Sequence, residues 1–131
     1  MKSASFLIGR MLSLADQIHF HYCQHVRSGQ APTQLIGNAL MVTALEEPEK
    51  ALALYAQRIL PYQAWARTRK ANEKGPEALA KYFLGQLGEV CAEINPPDVP
   101  VRASEAEKTE LILGYLAKAP GKTDTDPREP T

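Results

Sequence analysis

Near the end of the first apolar stretch stands His19-Phe20-His21-Tyr22-Cys23-Gln24-His25, the densest group of metal-capable side chains in the sequence. Imidazole and thiolate ligands are what zinc prefers. On a helix, however, His21 and His25 share one face while His19 and Cys23 share another, so the two pairs cannot turn onto one ion. A tetrahedral site would need ligands from elsewhere, and only Cys91 is available, with no further histidine. A metal site completed from elsewhere therefore competes with aromatic-rich packing or a polar contact surface. The residues favour the second, and no metal or other cofactor is expected.

A second group has a different chemistry. Arg58, Tyr62, Trp65, Arg67, Arg69, Lys70 and Lys74 place five positive charges among two aromatics, against the single acid Glu73. Arginine and lysine neutralise phosphates, and a ring beside them stacks on a base or braces the surface. Arg10 and Arg27 are candidate additions from the first helix. The competing reading is a solvated basic helix end, which the helix dipole favours anyway. No catalytic arrangement is visible. Gly121-Lys122-Thr123 resembles the end of a phosphate loop but lacks the preceding glycine and the strand-to-helix setting. The cysteines have no evident activating partner, so the chain reads as a non-enzyme.

The elements that must carry these groups are helical throughout. Leu7, Ile8, Met11, Leu12, Ala15, Ile18, Tyr22 and Val26 recur at three- and four-residue steps, predicting a first helix over about 5–28 with one broad apolar stripe. Gly9, Ser13, Asp16 and Gln17 wind onto the opposite side, and Phe6 and Phe20 fall there too. That second side, with Phe6 and Phe20, is the expected surface for another molecule. Pro32 opens a second helix over about 33–45, and Pro48 a third over about 48–70, which Pro61 should kink or interrupt. Asn72 to Pro76 is a loop, and a fourth helix spans about 76–94. Three prolines within 96–100 predict an extended connector. Ser104 and Glu107 form a capping box before a fifth helix, whose Leu111, Ile112, Leu113, Tyr115 and Leu116 supply the last packing face. The fold expected is an all-α bundle of about five helices over 1–118, with a disordered tail over 119–131 that lacks hydrophobes. Leu7, Met11, Ile18, Tyr22, Leu52, Ile59, Phe83, Leu87, Val90 and Leu113 are the expected core.

One short pattern repeats. Phe-Leu-Ile-Gly at 6–9 is echoed by Leu-Ile-Gly at 35–37, Tyr-Phe-Leu-Gly at 82–85 and Leu-Ile-Leu-Gly at 111–114. A glycine within a helix costs about 1 kcal/mol relative to alanine. Its repetition suggests close approach of helix backbones; the alternative is coincidence in a chain rich in leucine. The echoes are too irregular for a solenoid.

The 131 residues suit one domain with a modest core, and 44% hydrophobic content is ordinary for a globular chain. No apolar run approaches the ~18–20 residues of a membrane span, and no cleavable signal is apparent, so a cytoplasmic protein without membrane contact is expected. Cys23 and Cys91 are expected as buried thiols. The zero net charge hides a division. Residues 1–74 hold nine basic and five acidic side chains, giving +4, and residues 75–131 hold six and ten, giving −4. Such a molecule can offer a basic face to nucleic acid and an acidic one to a neighbour, including its own copies.

Phe6-Leu-Ile-Gly-Arg-Met-Leu-Ser-Leu-Ala-Asp-Gln-Ile resembles the aromatic-Leu-Gly-Arg-Leu opening of a helical region in CRISPR-associated large subunits. The family is the C-terminal domain of the type I-C large subunit. Glu107-Lys-Thr-Glu-Leu-Ile-Leu-Gly-Tyr is similar to the acid-rich start and Leu-Gly-Tyr helix that close that domain, although Leu116-Ala117 stand where the family continues with a second tyrosine and a histidine. The resemblance covers about residues 5–118, with Gly9-Arg10 and Gly114-Tyr115 as its anchors. In such systems the domain also exists as a separate small subunit of the Cascade effector complex, and this chain, with its own Met1 and its close after the Leu-Gly-Tyr helix, resembles that subunit. The resemblance implies a non-catalytic bundle stacked in copies beside the backbone and large subunits. It would support the guide RNA–target DNA heteroduplex and the displaced strand through backbone contacts, since base pairing already reads the sequence. A helical protein–protein adaptor without nucleic-acid binding is the alternative.

Overall fold

A computed structural model describes residues 2–26, 34–69 and 76–117. Among them are six α-helices and one 3₁₀ turn, with no strand: α1 (Ala4–Val26), α2 (Ile36–Glu46), α3 (Pro48–Arg58), α4 (Leu60–Arg67), α5 (Pro76–Glu93), the turn Pro96–Asp98, and α6 (Glu105–Leu116). The all-α reading holds. Of the loop expected at 72–76, Pro76 opens α5, and its other residues, like the tail at 119–131, lie outside the described residues.

α1 is the axis of the bundle and packs against every other α-helix, most extensively against α6 and α5. Ser3 caps it, its hydroxyl accepting the Phe6 amide at 3.1 Å. The expected stripe is buried from Leu7 to Ile18, with Tyr22 half-buried and Val26 exposed. The opposite side is not left for another molecule, because Gly9 and Asp16 are buried as well. Between Ala4 and Gln24 only Gln17 and Phe20 are exposed. The chain's own α6 and α2 take the remaining space.

Glycine makes that closure possible. α1 and α6 run in the same direction past each other, Ser3 reaching Glu110 and Arg10 reaching Ala117. A Cβ at Gly9 would stand 2.7 Å from the Tyr115 amide nitrogen and closer still to the Leu111 carbonyl oxygen. A Cβ at Gly114 would in turn stand 2.8 Å from the carbonyl carbon of Phe6. Gly37 of α2 meets the Leu12 carbonyl in the same way. Close backbone approach therefore accounts for three of the four repeated glycines. Gly85 is different: it is exposed, and nothing lies within 4 Å of where its Cβ would be.

α2 begins at Ile36, three residues later than expected, for a reason outside its own segment. Its flanking residue Leu35 is extended and supplies no side-chain cap. Acceptors come from α1 instead. His19 Nδ1 accepts the Ile36 amide at 3.2 Å, and Asp16 Oδ1 accepts the amides of Gly37 at 2.5 Å and Asn38 at 3.3 Å. The other Asp16 oxygen accepts the Tyr115 hydroxyl of α6. One buried carboxylate thus ties three helices together and satisfies amides a helix start leaves open. Burial pushes the Asp16 carboxyl above its ordinary range, against the opposing pull of these three bonds, and burial beside Asp16 pushes Tyr115 up to about 12.

The helix expected over 48–70, with Pro61 to kink or interrupt it, is interrupted into α3 and α4. Pro61 cannot donate to the Gln57 carbonyl, and the chain turns at Ile59 before helical bonds resume from Gln63 N–H to Ile59 O at 2.8 Å. The proline-rich connector is not wholly extended. Pro96 and Pro97 occupy the first positions of a 3₁₀ turn, where no N–H is required, and Val99 beyond them is buried. The connector docks on the α2–α3 corner through Ala103 N–H to Glu46 O and Glu49 N–H to Pro100 O. The Ser104–Glu107 capping box is present in both directions.

The expected core is buried at Leu7, Met11, Ile18, Ile59, Leu87 and Val90, and half-buried at Tyr22, Leu52 and Phe83. Leu113 is a correction, being exposed. α6 turns Leu111, Gly114 and Tyr115 toward α1, and that face excludes Ile112, Leu113 and Leu116, all three exposed.

Candidate nucleic-acid interface

Arg58 and Arg67 are exposed in the last turns of α3 and α4, where the helix dipole favours positive charge. They stand at the two ends of α4, a helix of about 12 Å. Trp65 is half-buried against the core, with Tyr22 edge-on to it at 5.5 Å. Arg69 lies over the Trp65 ring, its guanidinium 5.4 Å from the ring centre. Its Nε donates to the Trp65 carbonyl at 3.2 Å and its Nη2 to the Thr68 hydroxyl at 2.7 Å. The guanidinium is held in place before any ligand arrives. Lys81 of α5 completes the edge, donating to the Arg67 carbonyl at 3.0 Å. Among the described residues none of Arg58, Arg67, Arg69 and Lys81 enters a salt bridge.

Sequence reasoning missed Lys81. Fourteen positions separate it from Arg67, and no linear signal joins them. Arg27, Lys70 and Lys74 lie outside the described residues. Arg10 is a correction. It is 2% exposed and cannot meet a phosphate on the surface. Its Nη1 donates to the Ala117 carbonyl at 3.5 Å, just past the end of α6. Burial pushes its guanidinium below the ordinary value, and the Glu93 carboxylate counters that shift. Arg10 anchors the end of α6 rather than binding a strand.

The two expected partner residues also differ from each other. Phe6 is half-buried where α1 crosses Gly114, with the Lys2 ammonium 5.8 Å from its ring. Phe20 remains 37% exposed, edge-on to His21 at 5.3 Å.

The histidine-rich stretch is absorbed into aromatic packing. His19 stacks on Tyr62 of α4 at 4.2 Å, Tyr62 meets Tyr22 edge-on at 5.0 Å, and His21 stacks on Phe83 of α5 at 5.9 Å. Among the described residues no three of His, Cys, Asp and Glu stand together as a metal would require. Cys23 is buried, Cys91 half-buried, and both are free. Burial pushes the Cys91 thiol up, a bond to Tyr55 opposing it. Burial of this kind disfavours the thiolate, the nucleophilic form of cysteine.

Among the described residues no helix is long and apolar enough to cross a membrane. Comparison with protein-family models, curated proteins and solved structures finds no match to this chain.

Proposed function

We propose that the chain is a non-catalytic helical subunit of a cytoplasmic, RNA-guided CRISPR-associated surveillance complex. Its α4–α5 edge holds nucleic-acid backbone, guide RNA or target DNA, without reading bases. Its protein partners are the backbone and large subunits and its own copies. The observation that carries the nucleic-acid part is the edge itself. Arg69 is already ordered on the Trp65 ring, Lys81 reaches the Arg67 carbonyl, and among the described residues none of Arg67, Arg69 and Lys81 enters a salt bridge. Phosphates need several cations on one surface, and a neighbouring ring accepts any base. The assignment to that complex rests on the Gly9-Arg10 and Gly114-Tyr115 motifs.

Fluorescence anisotropy with arbitrary single-stranded DNA, at low and moderate salt, tests the edge. The combined variant Arg67→Ala, Arg69→Ala, Lys81→Ala should weaken binding for all sequences alike. The dependence of log affinity on log salt should become shallower by about one unit per lost phosphate contact. Binding equal to the parent at moderate salt would reduce these residues to solvated helix ends.

A second reading, a protein–protein adaptor, is favoured by one observation. Ile112, Leu113 and Leu116 form an exposed apolar face on α6, Leu116 being 70% exposed. Under that reading the DNA titration is flat at low salt as well.

A further inference from the structure

Arg69 commits one side of its guanidinium to the protein. Nε donates to the Trp65 carbonyl at 3.2 Å and Nη2 to the Thr68 hydroxyl at 2.7 Å. Those two N–H groups form the side of the planar fork. Its end is the parallel N–H pair of Nη1 and Nη2, and among the described residues no group accepts from Nη1. Two parallel donors match the two unesterified oxygens of a phosphodiester. A carboxylate matches them as well. Arg67, two positions away, and Lys81 on the Arg67 carbonyl favour a ligand with a series of negative charges, as a nucleic-acid backbone has.

Thr68 decides where that free pair points. Exposed at the end of α4, it donates its hydroxyl proton to the Trp65 carbonyl at 2.8 Å and accepts from Arg69 on the same oxygen. The Trp65 carbonyl is thus a common anchor for both side chains. Branching at Cβ limits the rotamers through which the threonine could leave it. Without the hydroxyl, the fork keeps one hydrogen bond and the face of the ring, and it can tilt about that bond. Its charge is unchanged; its direction is lost.

We propose that Thr68 is a positioning residue for backbone binding: it fixes the Arg69 fork so that one phosphate docks on the Nη1–Nη2 pair. The role rests on the nucleic-acid reading of the α4–α5 edge and requires no contact between Thr68 and the strand.

A double-mutant cycle, read by fluorescence anisotropy with arbitrary single-stranded DNA, is the test. Thr68→Val keeps the shape and removes the hydroxyl. Affinity at moderate salt should fall about three- to tenfold, the cost of ordering one long side chain on binding. The dependence of log affinity on log salt should not change, because no cation is lost. Thr68→Ser keeps a hydroxyl and should recover most of that affinity. Arg69→Ala should lower the salt dependence by about one unit. Adding Thr68→Val to it should cost less than about twofold more. A loss that persists in the Arg69→Ala background, a Thr68→Ser variant as weak as Thr68→Val, or a Thr68→Val variant that binds like the parent would each overturn the positioning role and leave the basic edge standing. A parent that binds no DNA at low salt overturns the edge, and the positioning role with it.

Discussion

A methyl group at Gly9 would have to displace the backbone of Leu111 and Tyr115, and one at Gly114 the backbone of Phe6. Backbone cannot rotate aside as a side-chain tip can, so the two helices would have to separate. Gly9→Ala and Gly114→Ala should each lower stability by about 1–3 kcal/mol or more, read as an earlier urea midpoint. Gly85→Ala is the contrasting case, since its site is open and helical. Alanine there should raise stability by up to about 1 kcal/mol. The recurrence of glycine was legible in the sequence. Which glycine meets a neighbour was not, because that depends on what lies across the contact. Arg10 shows the same limit. Its charge reads as surface, whereas its place beside Gly9 on the α6 side of α1 buries it.

α2 shows what an element owes to residues far from it. A start without a cap of its own is stable here because Asp16 and His19 reach across from α1. Asp16→Ala leaves the amides of Gly37 and Asn38 and the Tyr115 hydroxyl without their acceptor. A loss of about 1–3 kcal/mol is expected for each buried group left unsatisfied. Asp16→Asn keeps an oxygen for the amides and should fold. The pH dependence carries a definite sign. The folded carboxyl holds its proton to higher pH than the unfolded one. Its contribution to stability is therefore fully present below the ordinary carboxylate value and is lost as pH rises through the raised folded value. Asp16→Asn should flatten this component in urea midpoints taken from about pH 3 to 7. Helix boundaries set by local chemistry, such as Ser104–Glu107 and Pro48, were legible. The start of α2 was not, because its cap is tertiary.

At the scale of the molecule, periodicity was enough to give an all-helical bundle around the first helix, and among the described residues six helices stand where about five were expected, because Pro61 interrupts the third, one of the two outcomes expected of it. Periodicity misjudged the outward face of α6, where Leu113 looks like core and is exposed. A pattern with apolar residues at 111–113, 115 and 116 does not say which ones the partner helix covers. The basic edge was legible as composition over Arg58 to Arg69, and its extension to Lys81 needed the fold. The outer face of α6 suits assembly, where apolar surface is covered by a neighbour. Leu113→Ser with Leu116→Ser should leave the urea midpoint within about 0.5 kcal/mol of the parent. Loss of self-association or of complex incorporation in size-exclusion chromatography with light scattering would tie this face to assembly, and unchanged assembly would exclude it.

The meeting of Gly9 with Leu111 and of Gly114 with Phe6 joins α1 to α6 across about a hundred residues of chain. On the ribosome this has a consequence in time. At synthesis rates of about 5–20 residues per second, the small-residue groove of α1 waits roughly 5–20 s for its occupant. α5 and α2 can dock meanwhile, but the groove stays open, and its contacts are of the long-range kind that slow folding. The nascent chain therefore carries an unfilled helix-sized slot until α6, Glu105–Leu116, has been made.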